Sequence, residues 1–350
     1  MRFAFPEKVM SPDIANLHPA SFAIVMATGI VSVAAELRGM HSVALALVWL
    51  NVAFFVVLWV CTLLRAWLYR SKVRADLFDH NLCVGFFTTV AGTCVLGNQF
   101  VVVINHPQIG IALWLTGSVL WAVVTYAIFT ILTVKAEKPS LADGINGAWL
   151  IAVVATQAVS VLGGLVAPQL AGAREYAIFF ALIMWLGGGM LYIWIISLIF
   201  YRYTFFTLDP RQMAPPYWIN MGAMAISTLA GAVLIERAPS SPLLTGLLPF
   251  LKGLTLMFWA TATWWIPLLV VLGVWRHIVR KVPLNYGVVY WSAVFPLGMY
   301  TVCTHRLARV VEQPWLDVIP SYSVYVSLAA WMLTFLGLLH RQYALLLPKS

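Results

Sequence analysis

The chain has 350 residues, of which 62% are hydrophobic and only 9% are charged. Soluble domains carry about 25% charged residues, and a protein core cannot absorb this much apolar surface, so lipid must surround much of the chain. The formal net charge of +9 lies mostly between the apolar stretches, where it orients a membrane protein and meets anionic lipid. The composition therefore predicts an all-α integral membrane protein that contacts membrane lipid and binds no nucleic acid.

Ten stretches have the roughly 20 mostly apolar residues that a membrane-spanning helix needs. The first is too long, and lacks the small-residue cleavage pattern, for a removable signal peptide. Ser240–Lys252 contains two prolines and is predicted to be a loop or an interfacial segment. Because no stretch between spans could hold a soluble domain, residues 1–350 are predicted to form a single transmembrane transport domain with short tails. The predicted spans are 19–37, 42–68, 82–104, 108–134, 144–166, 175–201, 216–235, 253–275, 287–304 and 317–339.

The basic residues are distributed unevenly between the two sides of these spans. Of the 21 Lys and Arg residues, fifteen fall on the side that holds both termini and six on the other side. In multi-pass proteins the cytoplasmic loops carry the excess of positive charge. Both termini are therefore predicted to be cytoplasmic, and the protein is expected in the plasma membrane, as a bacterial-type inner-membrane protein.

Odd-numbered and even-numbered spans differ in composition. The even spans are bulky and uniformly apolar, as in residues 50–59, whereas the odd spans are rich in glycine, hydroxyl and amide residues and in helix breakers. Small residues let membrane helices approach closely, and buried hydroxyls avoid lipid. Two interpretations stay open. Either the odd spans form a tight bundle interior, or five helical hairpins form a ring around a central pore lined by the odd-numbered helices.

The ninth span is interrupted in its middle by a proline and a glycine. Within the apolar run Tyr290–Gly298, Pro296 and Gly298 follow Phe295. A proline cannot donate to the carbonyl four residues upstream, so a helix kink is predicted at Pro296 and Gly298, close to Phe295. The large ring is then either a packing residue beside an ordinary kink or a plug in the middle of a passage.

The polar chemistry of an enzyme or of a proton pump is missing from the spans. All 12 acidic residues and all 7 histidines lie in loops, in tails or near span ends, so neither a mid-membrane carboxylate relay nor a pair of haem ligands is available. The sequence has no HExxH or GxSxG motif, and its four cysteines form no CxxC pattern. We therefore expect no catalytic residue, no metal and no cofactor, and a passage of neutral groups that holds small ions weakly.

Four motifs, in order along the chain, carry a family resemblance. They are His18–Ile30 at the first span, Asn146–Leu150 at the fifth, Pro215–Ala223 at the seventh and Trp291–Gly298 at the ninth. With them the chain resembles, over nearly its whole length, the tellurite-resistance/dicarboxylate transporter family, which includes plant slow anion channels, yeast malate permeases and fungal sulfite efflux pumps. The resemblance implies ten helices in five hairpins around a pore, a homotrimer, and a pore-blocking phenylalanine at the position of Phe295.

The candidate site residues follow from these patterns and from the resemblance. Phe295 is the candidate pore gate, because a ring in a narrow apolar constriction blocks ions sterically and strips their water. His18 and Arg306 are candidate entrance residues, and their alternative roles are helix capping for the first and pairing with lipid headgroups or Glu312 for the second. Hydroxyls also bond back to their own helix, and amides also bond between helices. The candidate residues of the anion path are Thr28, Thr89, Thr93, Thr156, Gln157, Ser160, Ser227 and Thr301.

The leading functional hypothesis is passive or weakly coupled transport of small inorganic or organic anions through a gated pore. The alternatives are a proton-coupled carrier of C4-dicarboxylates such as malate, and an exporter related to sulfite or tellurite. A third hypothesis is a membrane scaffold or stress-resistance factor that transports nothing. The missing mid-span carboxylates favour the leading hypothesis, and the proton-coupled carriers of the resembling family favour the first alternative.

Overall fold

The computed structural model describes residues 12–210, 212–213, 215–284 and 286–346, so most of the predicted N-terminal tail and the last four residues lie outside the described residues. The fold is 87% helical, and the described residues contain no β-strand. The first, third, fifth, seventh and ninth long helices each follow directly on a 3₁₀ turn; these turns are Pro19–Phe22, Cys83–Phe86, Gly147–Leu150, Pro215–Trp218 and Val288–Tyr290. The long helices in this part of the chain are α1 Ala23–Leu37, α2 His41–Leu68, α3 Phe87–Val102, α4 Pro107–Val134, α5 Ile151–Val166, α6 Arg174–Phe205, α7 Ile219–Arg237, α8 Leu248–Val274, α9 Trp291–Val310 and α10 Val318–Leu346.

The long helices coincide with the predicted spans. The first span, 19–37, matches its 3₁₀ turn and α1 together, and the second, 42–68, matches α2 within one residue. The helices α9 and α10 extend six and seven residues beyond their predicted ends, to Val310 and Leu346. Between α7 and α8, Pro242–Gly246 forms a short helix, and α8 begins at Leu248, five residues before its predicted start. Helix α8 can start early because its proline, Pro249, lies in the first turn, where a proline N–H is not needed.

Nine helical segments in the described ranges are long and apolar enough to cross a membrane. Helix α9 is not one of them; it contains many small and polar residues and ends with His305, Arg306 and Arg309. It is nevertheless a buried helix, with 14 of its 20 residues inside the fold. The chain is thus an all-α integral membrane protein, and the count of ten spans stays a prediction.

The helices form two concentric layers. Consecutive long helices pack as five hairpins, from α1 with α2 to α9 with α10, and the odd helices also pack side by side in the order α1, α3, α5, α7, α9 and back to α1. The apolar stretches of α1, α3, α5 and α7 are 89, 83, 100 and 94% buried, against 22, 17, 44, 22 and 22% for the even helices. The odd helices therefore form a closed inner ring and the even helices an outer layer, as their compositions predict.

The five inner helices run in the same direction. Arg306 near the end of α9 pairs with Glu236 at the end of α7, and Arg237 donates to the carbonyl of Gly164 near the end of α5. At the opposite end, the turn before α3 lies against the turn before α1. We call these two ends the C-terminal end and the N-terminal end of the ring, after the termini of the inner helices.

Glycines set the close spacing of α9 within the ring. A Cβ on Gly222 of α7 would lie 2.7 Å from Cγ of Pro296, and a Cβ on Gly298 would lie 2.9 Å from a methyl carbon of Ile30 in α1. A side chain at either position would push two inner helices apart. Helix α9 therefore touches both neighbours in the ring through the segment that contains Phe295.

The outer layer presents large apolar side chains on its outward surface. Trp49, Leu115, Trp194, Trp264 and Leu333, one from each even helix, are all more than half exposed. Such a surface is unfavourable in water and suits a lipid environment. Buried amide side chains such as Gln99 and Gln157 instead bond between helices.

Candidate functional site

The contacts of α9 determine which way Phe295 points. Successive residues of an α-helix lie about 100° apart around its axis. Pro296 faces α7 through Gly222, and Gly298 faces α1 through Ile30. Phe295 falls between these two directions, on the side of α9 that faces the interior of the ring.

The opposite side of α9 is hydrogen-bonded to the outer layer. Tyr300 shares a hydrogen bond of 2.8 Å with Thr263 of α8, and Thr301 shares one of 2.8 Å with Ser323 of α10. Phe295 is also buried, at 2% exposed, but its ring pairs with no other aromatic ring of the described residues. The side chain is thus buried without the polar or aromatic partners that hold the outward face.

Helix α9 continues through Pro296 and Gly298. Because Pro296 has no N–H, the carbonyl of Ser292 receives no helical hydrogen bond from it. The helix is therefore weakened within one turn of Phe295, although it is not broken. The predicted kink at Pro296 and Gly298 stays a prediction about the angle between the two halves.

Three predicted path residues in α5 bond to the outer layer. Gln157 donates from Nε2 to the carbonyl of Trp185 in α6 at 3.0 Å, and Ser160 donates to a backbone carbonyl of the same helix at 2.7 Å. Thr156 accepts a hydrogen bond of 2.8 Å from Nε1 of Trp121 in α4. These side chains therefore join helices to one another. For the amide of Gln157, this is the alternative to a role in the anion path.

Two further candidates also bond away from the ring interior or along their own helix. Thr28 accepts a hydrogen bond of 3.0 Å from Nε1 of Trp331 in α10. Ser227 donates to the carbonyl of Ala223 in its own helix at 2.7 Å. With Thr301, which bonds to α10, they hold inner helices to the outer layer or satisfy the helix backbone.

Thr89 and Thr93 lie on the inner side of α3. Around the axis of α3, both residues lie between Gly92, which faces α1, and Gly97, which faces α5. Thr89 donates to the carbonyl of Phe86 at 2.8 Å, and Thr93 donates to the carbonyl of Thr89 at 2.7 Å. A hydroxyl has a single proton, so in this conformation both present lone pairs to the ring interior and must rotate to donate to an anion.

A small cavity lies at the N-terminal end of the ring, with a volume of about 40 Å³ and with His18, Arg65 and Thr89 in its lining. The backbone N–H of Ala20 donates to Nδ1 of His18 at 3.0 Å, so His18 caps the turn that begins the first span. Burial lowers the pKa of His18; nearby Asp76 opposes this shift and Arg65 adds to it. The imidazole is therefore neutral at pH 7, with its proton on Nε2, and Arg65 carries the positive charge at this cavity.

An ion pair lies at the C-terminal end of the ring. Nη1 of Arg306 is 2.5 Å from Oε2 of Glu236, and the two side chains are 15% and 23% exposed. Glu312, the carboxylate named as an alternative partner, instead lies 3.8 Å from Lys252 and is 85% exposed. Arg306 is thus held by a carboxylate of the neighbouring inner helix.

Sequence reasoning missed two charged residues of this arrangement. In the sequence, Glu236 is only one of the acids near span ends, and Arg65 is only one of the fifteen basic residues on the side of the termini. In the structure, however, Arg65 is 6% exposed and lies 2.7 Å from Asp76. The available signal for Glu236 is that it and Arg306 both fall in the last turns of odd helices, which run in the same direction. The partnership itself joins residues 70 positions apart and has no local pattern.

The described residues contain no group of three or more His, Cys, Asp or Glu side chains that could hold a metal ion. All four cysteines are free thiols. The inner helices carry hydroxyl, amide, carboxylate and guanidinium groups, which can bind ions.

Comparison with known proteins shows which family and which relatives the chain resembles. The family model described as "Voltage-dependent anion channel" (SLAC1) matches residues 16–339. An uncharacterised transporter of Methanocaldococcus jannaschii is 28% identical over 341 residues, which is 94% of each chain. A sulfite efflux pump of Arthroderma benhamiae is 24% identical over 350 residues, covering 92% of this chain and 90% of its own. An uncharacterised membrane protein of Mycobacterium tuberculosis is 41% identical over 152 residues, covering 43% of this chain and 76% of its own.

Proposed function

Because the chain belongs to the voltage-dependent anion channel family, we propose that it carries small anions along the middle of its inner ring and that Phe295 gates this passage. The names of the family and of the relatives indicate channels or transporters and not enzymes. The observation that carries the gate is the position of Phe295, buried between the contacts of α9 with α7 and with α1. Among the predicted site residues of α9, only Arg306, about three turns further along the helix, shares this direction.

The interior near Phe295 is apolar. Met299 and Val302, on the same side of α9, are 0% and 1% exposed. A small anion at this level would lose water without meeting a charged partner, and an uncompensated buried charge is strongly unfavourable. Removing the ring of Phe295 would admit water beside the anion and is the smallest change expected to open the passage.

Thr89 and Thr93 are the polar residues that we assign to the passage, because they lie on the inner side of α3. Their hydroxyls can rotate to donate to an anion and return to the helix backbone afterwards, so binding stays weak enough for release. The remaining hydroxyl and amide candidates hold helices together in this proposal. They are Thr28, Thr156, Gln157, Ser160, Ser227 and Thr301.

Small inorganic anions, sulfite among them, are the proposed cargo, since relatives named as sulfite efflux pumps align with 92% of this chain. Proton-coupled carriage of C4-dicarboxylates and a role in tellurite resistance are the alternatives for the same passage. We further propose that residues 1–350 form a single transport domain that assembles as a homotrimer in a bacterial-type inner membrane.

The test is anion flux into liposomes that contain the purified protein. Phe295→Ala should increase the flux of chloride, nitrate and sulfite about tenfold or more, because the passage no longer has an apolar plug. Phe295→Leu should lie between this variant and the unmodified protein. The matched control is Phe179→Ala, which removes the same ring from the outward face of α6, where Phe179 is 51% exposed, and should leave the flux unchanged.

A well-folded Phe295→Ala variant without added flux would make Phe295 a packing residue and end the gate proposal. Uphill accumulation of malate by the unmodified protein, driven by a pH gradient, would favour the proton-coupled carrier. Impermeability of every variant to all four anions would favour a membrane protein that transports nothing.

A further inference from the structure

The ion pair at the C-terminal end lies on the same face of α9 as Phe295. Arg306 follows Phe295 by eleven positions, which at about 100° per residue brings it back to within about 20° of the same direction. The rise of about 1.5 Å per residue places it roughly 16 Å further along the axis. Arg306 therefore faces the interior of the ring, three turns beyond the proposed gate.

Glu236 lies on the inner side of α7. It follows Gly231, which faces Thr255 of α8 and Trp185 of α6 in the outer layer, by five positions, so it points about 140° away from the outer layer. Its carboxylate accepts from Nη1 of Arg306 at 2.5 Å. Arg237, the next residue, donates to the carbonyl of Gly164 in α5 at 3.0 Å. Two guanidinium groups and one carboxylate thus lie in the last turns of α7 and α9, beside the end of α5.

The carboxylate of Glu236 is itself an oxyanion held by a guanidinium group. Guanidinium binds carboxylates and other oxyanions through the same charge-assisted hydrogen bonds. An anion that reaches this end of the ring finds the guanidinium group of Arg306 already paired with Glu236. It can bind only by displacing Glu236, which stays nearby because it belongs to α7.

We propose that Arg306, with Arg237 beside it, forms a binding site for small oxyanions at the C-terminal end of the ring, and that Glu236 occupies this site when no anion is bound. The site rests on the proposed function, since it lies on the same passage as Phe295. Competition from Glu236 keeps the bound anion weakly held, as conduction requires. With Glu236 displaced, two positive charges face the anion.

Sulfite flux in the Phe295→Ala background tests the site. Glu236→Gln should lower the half-saturating sulfite concentration about threefold or more, because the competing carboxylate is gone. Arg306→Gln should raise it about threefold or more, and Glu236→Gln should then have no further effect. The matched control is Glu312→Gln, which removes the same charge from the exposed rim and should leave the half-saturating concentration unchanged within about twofold.

A second measurement does not depend on flux. Sulfite should raise the melting temperature of Glu236→Gln in detergent, and this rise should be lost in Glu236→Gln/Arg306→Gln. If Glu236→Gln fails to fold, Glu236→Asp retracts the carboxylate by one methylene and should shift both readouts in the same direction.

The failures can be told apart. Absence of flux in Phe295→Ala refutes the gate, and the melting experiment then decides the oxyanion site alone. Flux in Phe295→Ala with equal effects of Glu236→Gln and Glu312→Gln reduces the site to general surface charge and overturns it. A sulfite-dependent rise in melting temperature that survives loss of Arg306 overturns it as well.

Discussion

Phe295 and Trp185 are both buried aromatic residues, and they differ in what holds them. Trp185 of α6 donates from Nε1 to the carbonyl of Ser227 at 2.8 Å, and its ring meets those of Phe250 and Phe258. Phe295 has neither kind of partner among the described residues. Truncating a packed ring to alanine costs about 3–5 kcal/mol. That cost should apply to Trp185, whereas Phe295→Ala should remain folded and be available for flux measurements.

His18 should make the stability depend on pH. Burial lowers the pKa of this histidine, so below the ordinary value of about 6.5 the unfolded chain binds a proton that the folded chain does not. Its stabilising contribution is therefore complete above that pH and decreases as the pH falls. We expect the melting temperature to drop between about pH 7.5 and pH 5.5, and to drop less in His18→Asn, which keeps the cap without the titrating ring. An equal drop in both proteins would show that other groups control the pH dependence.

At the level of single residues, the sequence indicates Phe295 but does not show which way the hydroxyl side chains face. Phe295 stands out because a proline follows it in an apolar run. The candidates in α5 gave no such signal, since a helix buried on every side has no amphipathic pattern to show which face points inward. Gln157 and Ala158 are both 0% exposed, although only Gln157 bonds to α6.

At the scale of the helix, the reactivity of single cysteines tests which face of α5 points into the ring. Around the axis of α5, Ala158 lies about 100° from Gln157. It falls between Leu162, which contacts α3, and Gly164, which contacts α7. In the Phe295→Ala background without native cysteines, Ala158→Cys should react with small charged thiol reagents about tenfold faster than Gln157→Cys, because water reaches only the inner face. Equal rates at the two neighbouring positions would contradict the passage through the inner ring.

The spacing between α7 and α9 should depend on a single glycine. A Cβ at Gly222 would meet Cγ of Pro296 at 2.7 Å, so Gly222→Ala is expected to lower the free energy of unfolding by about 1–3 kcal/mol through overpacking. Gly187→Ala is the control, since nothing lies within 4 Å of a Cβ there and alanine favours a helix by up to about 1 kcal/mol over glycine. Thermal unfolding in detergent measures both. A neutral Gly222→Ala would mean that the two helices separate without cost.

At the scale of the whole molecule, the difference between odd and even spans was visible in the sequence because it follows from the solvent of each layer. Even helices meet lipid along most of their length and are uniformly apolar, whereas odd helices meet only protein and tolerate hydroxyls and amides. Closure of the ring between α9 and α1 was not visible, since it joins residues such as Gly298 and Ile30 that share no local pattern. The same holds for Arg306 and Glu236.

The orientation in the membrane is predicted from charge alone. Fifteen of the 21 basic residues lie on the side of the termini, and cytoplasmic loops retain such an excess. Four of the fifteen, Arg2, Lys8, Arg211 and Lys349, lie outside the described residues. An alkaline phosphatase fused after Ser350 should be inactive, because the enzyme needs the periplasm to fold, and one fused within the loop at Gly172 should be active. An active fusion after Ser350 together with an inactive fusion at Gly172 would show that the protein has the opposite orientation in the membrane.

The common direction of the inner helices has an electrical consequence. Each α-helix carries roughly half a positive charge at its N-terminus and half a negative charge at its C-terminus. Five parallel inner helices therefore bring five positive helix-dipole ends together around one mouth of the ring, where they favour the approach of anions. The other mouth collects the five negative ends, which Arg237 and Arg306 counter in part, since Glu236 pairs with Arg306. An anion that crosses the ring by the proposed passage would be attracted by the backbone at one mouth and would depend on side chains at the other.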